Sequence, residues 1–436
     1  MNISSKIIIG SIAAVASFLH ANADAAAASD SIHSLSETKK PRLTIGGYGE
    51  VAMSRNFFSD SYLRYTSPEK YRDQSHGRFD LPHVVINIGY DFGKGWSMGS
   101  EIEFEHGGTE SAIEIEEEEA GEYESEIERG GEVALEQFWL QKSFMPQLNV
   151  RAGMMVVPVG QTNAHHLPTE FFGVYRPEGE NTIMPCTWHE VGISIHGTAG
   201  RWSYEAMFLP GLDSDRFNSK GWIHDGAGSP YEFKIANKYA FAARIDNRSV
   251  PGLTISLSGY TGSSFGNTLY PTTGVKNKGI KGQVTIGSFD FIYNNHNLIA
   301  RGHIDYGHLG DSKHISDFNI AMSKNSVSPR QKIGQSAIST GLEAGYNLFS
   351  LSPSLSADNQ RLYIFGQYEY YNSMLTMERD QRNDWCHRHR LAAGINYYPI
   401  KDLVVKGEYS IGLLDKRYIN EPSISIGVAY AGWFKF

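Results

Sequence analysis

The densest chemistry in the chain is acidic. Between Glu101 and Glu136 stand 15 Glu and one Arg (Arg129), a net charge of −14, so the rest of a chain whose total is −9 carries +5. Spacing divides the stretch in two. Glu101, Glu103 and Glu105 alternate with Ile102 and Phe104, which places three carboxylates on one face of a strand. From Glu110 to Glu132 the carboxylates are too dense to pair with local cations. Hard cations such as Ca²⁺ or Mg²⁺ favour several carboxylate oxygens and would relieve the repulsion, so Glu116, Glu117, Glu118 and Glu119 are candidate ligands for such an ion, and Ca²⁺ is the one cofactor the sequence suggests. The alternating Asp/Asn and fixed Gly of an EF-hand loop are missing, and a solvated, self-repelling loop accounts for the same pattern.

A second constellation lies between Val157 and Thr187. His165, His166, Glu170, Arg176, Glu178 and Glu180 are set among the apolar residues Phe171, Phe172, Val174 and Tyr175. A segment with that mixture can anchor itself by its aromatics inside a larger body and present its charges to a passage, or stand outside as a flap. Cys186 with His189, and Cys386 with His387 and His389, contain zinc-ligand types, but no Cys-x-x-Cys pair completes a site and rim positions account for them. A Gly-x-Ser-x-Gly elbow or similar nucleophile arrangement is also missing, which argues against an enzyme.

The elements that position these residues have a period of two. Sixteen segments alternate apolar and polar residues: about 42–53, 82–92, 96–105, 132–144, 148–156, 188–198, 201–210, 238–248, 252–263, 281–293, 297–308, 337–350, 360–372, 385–398, 401–412 and 423–436. Short turns, among them Gly93-Lys94-Gly95, Met145-Pro146-Gln147 and Pro399-Ile400, alternate with long connections such as 54–81, 106–131, 157–187, 211–237 and 309–336. This rhythm predicts an all-β fold, a transmembrane antiparallel barrel of 16 strands (14 to 18), with short periplasmic turns and long extracellular loops. Alternation assigns the lumen face. Glu101, Glu103, Glu105, Arg151, Glu190, Arg244, Arg301, Asp305, Arg388, Arg390 and Lys406 line it, and acids outnumber bases along the whole face. A disulfide between Cys186 and Cys386 would join opposite walls unless the 157–187 loop turns inward.

The ends of the chain agree. Residues 1–23 read as a secretory signal: Lys6, the apolar run Ile7 to Leu19, then Ala21-Asn22-Ala23; a short periplasmic segment, 24–41, precedes the barrel at 42–436. No later apolar run approaches the ~20 residues of a membrane helix. A net charge of −9 with no basic cluster excludes a dedicated nucleic-acid binder.

The last strand carries Ile424, Ile426, Val428, Tyr430, Phe434 and Phe436 on one face and ends in Phe, which resembles the C-terminal targeting strand of Gram-negative outer-membrane proteins. With Gly46-Gly47-Tyr48-Gly49-Glu50, Arg176-Pro177-Glu178-Gly179-Glu180, Trp188-His189-Glu190 and the sixteen-strand length, the mature chain resembles a phosphate-selective porin in its diverged, Bacteroidetes-type form. That resemblance implies passive diffusion of small hydrophilic solutes, a homotrimer in lipid bilayer and lipopolysaccharide, and an inward third loop. It does not extend to an anion ladder, since the lumen acids predict weak or cation-leaning selectivity. The competing expectation is a surface receptor or adhesin, with the barrel as anchor and the acidic loop binding a cation or partner.

Overall fold

The structure, a computed structural model, describes residues 42–61, 63–71, 75–107, 113–115, 127–129, 132–228, 233–269, 277–325, 329–357, 359–376 and 383–436. The expected signal sequence at 1–23, the expected periplasmic segment at 24–41 and the Ca²⁺ candidates Glu116 to Glu119 lie outside these residues. Sixteen antiparallel strands form the wall: β1 Leu43–Asn56, β2 His83–Gly93, β3 Trp96–Glu105, β4 Val133–Met145, β5 Leu148–Val156, β6 His189–Ala199, β7 Trp202–Pro210, β8 Tyr239–Asn247, β9 Leu253–Ser263, β10 Gln283–Asn295, β11 Leu298–Leu309, β12 Ser336–Asn347, β13 Arg361–Asn372, β14 His387–Ile400, β15 Leu403–Leu413 and β16 Glu421–Lys435. Each pairs with its neighbours, and β1 pairs with β16 from Thr44↔Lys435 to Asn56↔Ser423, so the sheet closes on itself. Closure satisfies the backbone of every wall strand and removes both sheet edges, the condition for crossing a bilayer with strands. Among the described residues no helix is long and apolar enough to cross a membrane.

Alternation produces the two faces. On β16, Ile424, Ile426 and Val428 are 47%, 54% and 43% exposed on the outside, while Ser423 and Ser425 are buried on the inside. Outward aromatics gather at both ends of the strands. Phe92, Trp96, Phe144, Trp202 and Phe434 sit at the short-turn end, and Phe208, Tyr239, Phe241 and Tyr306 towards the long-loop end. Such girdles match the two interfaces of a bilayer, where amphipathic rings are stable.

Three expectations need correction, and the long connections add a feature of their own. The turn assigned to Pro399-Ile400 falls at Lys401-Asp402, because β14 continues through a bulge between Tyr397 and Ile400. The long connections carry their own structure: a rim strand His76–Asp80 paired with β1, a small hairpin Ile113–Ile115 with Ile127–Arg129, and a helix Ser312–Met322. Strict alternation fails on β4, where a bulge opposite Glu101 and Ile102 turns both Glu136 and Gln137 inward; an extra residue in one strand re-aims its side chain. Finally, the inward face is not polar throughout. Towards the long-loop end, Met207, Leu209, Val284, Ile286 and Leu309 face inward and are covered by Phe217, Trp222 and Ile223 of the 211–237 loop and by Ile315 and Ile333 of the 309–336 loop.

Candidate pore constriction

The loop between β5 and β6 lies inside the barrel. Irregular backbone buried this way needs partners for its N–H and C=O groups, and the wall side chains supply them. The N–H groups of Phe172, Val174 and Gly179 donate to Glu343 (3.2 Å), Glu408 (2.9 Å) and Glu369 (2.9 Å). In return, Lys406 donates to the carbonyls of Phe171 (3.1 Å) and Gly173 (2.7 Å), and Asn396 to that of Phe172 (3.0 Å). Within the loop, Glu180 accepts from the consecutive N–H groups of Gln161 (3.1 Å), Thr162 (2.9 Å) and Asn163 (3.2 Å), the unpaired donors at the start of the short helix Gln161–Ala164.

Apolar contacts fix the far end. Phe172 stacks on Phe365 with ring centroids 5.3 Å apart, and the Arg301 guanidinium lies over the Phe172 ring, 5.3 Å from its centroid. The approach requires glycine at 345, since a Cβ there would stand 2.4 Å from the Phe172 ring. Leu167 packs with Tyr48, Val85 and Ala431 across the lumen.

These contacts change the meaning of several lumen charges. Lys406 holds the loop backbone. Arg390 pairs with Glu408 and Glu369 (3.4 Å) and with Glu178 (3.6 Å), and Arg301 pairs with Glu343. Arg388 pairs with Glu421 (3.2 Å) and Glu178 (3.6 Å), Arg244 with Asp246 and Asp290 (2.8 Å each), and Lys234 with Glu190 (3.2 Å). Arg151 lies over the Trp139 ring and 3.7 Å from Glu205. The bases on β5, β8, β11 and β14 therefore face carboxylates. The opposite wall is different: Glu50, Glu101, Glu103, Glu105 and Glu136 meet His83, His166 and His189, with Arg176 entering from the loop.

Loop groups adapt to this environment. Burial opposes charge on His166, but Glu101 beside it raises its proton affinity. For Glu170, burial would raise the pKa, yet His165 at 3.4 Å holds it below the usual carboxylate range. Burial opposes the charge on Arg176 too, and the carboxylates of Glu103 and Glu136 among the acidic groups around it raise its proton affinity. Although the loop turns inward, Cys186 and Cys386 are both free thiols, and burial pushes each up to about 12. His387 and His389 sit among Tyr368 and Tyr370 beside the outward face rather than around Cys386.

The sequence reading missed Glu136 and Asp290. The Glu136 bulge has no sequence signature, whereas Asp290 sits two residues from Ser288 on a strand whose inward Val284 and Ile286 disguise the lumen face.

No family model matches this chain. A protein of Aquifex aeolicus described as uncharacterized is 26% identical over 382 residues, covering 85% of this chain and 76% of its own. Among solved structures, an anion-selective porin from Comamonas acidovorans is 10% identical, covers 89% of this chain and 99% of its own, and superposes with a TM-score of 0.52. Salmonella typhi OmpF in complex with daunomycin is 10% identical, with 91% and 98% covered and a TM-score of 0.52. At such identities the likeness is one of fold, and that fold is the sixteen-strand barrel of Gram-negative outer-membrane porins.

Proposed function

We propose that the protein is an outer-membrane porin through which small hydrophilic solutes and ions diffuse passively, without a chemical step, past a constriction formed by the 157–187 loop. The supporting observation is the loop itself, held inside a closed barrel by wall carboxylates, Lys406 and Asn396. Pore-lining roles follow for the more exposed groups of the loop, His165, Glu170 and Glu178, with Arg301 and Arg390 beside them, and for the acidic wall of β1 to β4 that Arg176 enters. Homotrimeric assembly and the phosphate-selective type's layout belong to the same proposal, but that type's anion preference does not.

Selectivity leans to cations because the lumen bases are neutralised by adjacent carboxylates while the β1–β4 wall keeps an excess of acid. In planar bilayers with a KCl gradient, the reversal potential should carry the sign of K⁺ preference. Replacing Glu103 and Glu105 together by Gln should move it towards zero, with the difference shrinking as salt screens the wall. A potential of the opposite sign rejects the cation reading.

One observation favours a second reading. The apolar filling by Phe217, Trp222, Ile223 and Ile315 suits a barrel that anchors surface loops for a receptor or adhesin. Correctly folded protein that never conducts would favour that role and direct attention to the acidic 106–131 loop.

A further inference from the structure

On the inner wall, His303 and Asp305 of β11 face Glu180 of the inward loop. One ligand atom from each of the three lies within 4.8 Å of the others, and all three residues are buried. His303 Nδ1 is 3.9 Å from Glu180 and Nε2 is 3.6 Å from Asp305, spacings too long for hydrogen bonds. Asp305 is 0% exposed, and neither of its carboxylate oxygens has a hydrogen-bond partner. Asp290 Oδ2 and the hydroxyl of Ser288 on the next strand are also unpartnered; Ser288 stands directly across from Asp305, and Asp290 across from His303. A buried carboxylate without hydrogen-bond donors is costly unless a cation faces it, and at Asp305 (3.6 Å) and Glu180 (3.9 Å) that cation is His303 when it is protonated. Here the unpartnered atoms are all oxygens, and the His303 ring beside them meets Ser339 Oγ through Nε2 at 3.2 Å, which leaves Nδ1 towards Glu180 for a ligand.

The other buried cluster of this kind, Glu101, Glu136 and His166, differs in one respect. Its orphan atoms include Arg176 Nε and Nη2 as well as Glu136 Oε2, so beside its imidazole it holds a permanently charged base. Near Asp305 the fixed base is Arg244, already committed to Asp246, Asp290 and the carbonyl of Gly160.

We propose that Glu180, His303 and Asp305 form a binding site for a divalent transition metal, with Zn²⁺ as its model ion, that ties the inward loop to the barrel wall. One imidazole and two carboxylates suit such an ion better than Ca²⁺ or Mg²⁺, which take all-oxygen shells. Bonds of about 2.0–2.2 Å to each ligand draw the three atoms closer than they stand and leave a fourth position. A water can fill it from the cleft of ≈ 20 Å³ that His303 lines with Gln161, His165, Glu170, Arg301 and Glu369. Glu180 already caps residues 161–163, so a bond from its carboxylate to metal on β11 fixes both limbs of the loop.

The test is independent of conduction. Refolded full-length protein, stripped with chelator and dialysed against micromolar Zn²⁺, should retain one metal per chain by mass spectrometry. His303→Gln and Asp305→Asn should each weaken retention at least ~10-fold, as loss of a ligand must exceed the effect of a supporting residue. Heat-modifiable migration on gels identifies the variants that fold; should Asp305→Asn fail, His303→Gln carries the test alone. No retained Zn²⁺, or equal retention in the folded variants, overturns the site. So does loss in Glu101→Gln with retention in His303→Gln, which would place the metal at the other cluster.

Discussion

Removing residues 165–182 should raise single-channel conductance several-fold while leaving the barrel folded. The strand network does not include these residues, and β5 and β6 pair directly from Asn149↔His196 to Val156↔His189. The deletion also joins limbs that are already neighbours, since the Glu180 carboxylate reaches the N–H groups of residues 161–163. It strips the loop partners from Glu343, Glu369, Glu408 and Lys406, which would be intolerable in a dry interior. Once the loop is gone the lumen fills with water, which solvates all four. The loop's loss therefore costs little folding free energy and widens the passage along the β11–β15 wall, where the loop now runs. Conductance unchanged from wild type, with heat-modifiable migration intact, would show that ions follow another route or none.

Strand number, closure and the outward face were legible because one rule governs them. A wall strand between lipid and lumen must alternate, and β9, with Ile255 and Leu257 outward and Ser256 inward, does so. The inward path of the 157–187 loop was legible as far as its length and its aromatic anchors allowed; Phe172 is such an anchor, stacked on Phe365. What the charges do was less legible. Lys406, Glu343 and Glu408 look in sequence like solute-facing groups, yet they serve as hydrogen-bond partners for the loop backbone. A carboxylate that binds a passing ion and one that binds a buried N–H are the same residue type at the same strand period. Only the loop's path distinguishes them, and that path depends on contacts such as Gly345 with Phe172, remote in sequence. The Glu136 bulge and the apolar inward ends of β7 and β10 escaped for a related reason. Each is set by what packs against the strand, not by the strand.

The second large effect concerns Trp222, which should hold the 211–237 loop in the barrel almost by itself. The indole is fully buried, its Nε1 donates to the Gly334 carbonyl at 3.0 Å, and its ring occupies the space that a Cβ at Gly307 would fill, 2.0 Å from the nearest ring atom. Truncating a buried aromatic of this size to alanine costs about 3–5 kcal/mol. The Gly334 carbonyl also loses its partner in a buried setting. This loss falls on the loop, because Trp222 touches the wall from inside and belongs to no wall strand. Trp222→Ala should thus increase the open population of the loop by about a hundredfold or more, at one power of ten per ~1.4 kcal/mol. Limited proteolysis should cleave the variant between residues 211 and 228 much faster than wild type, while strand content and the unfolding temperature of the barrel change little. Gly307→Leu should reproduce the cleavage from the opposite side of the contact, by expelling the indole instead of deleting it. If both variants resist protease as wild type does, the loop is held by Phe217, Ile223 and their neighbours collectively. If the barrel itself unfolds early, the loops are part of its core and not a filling added to a self-sufficient wall.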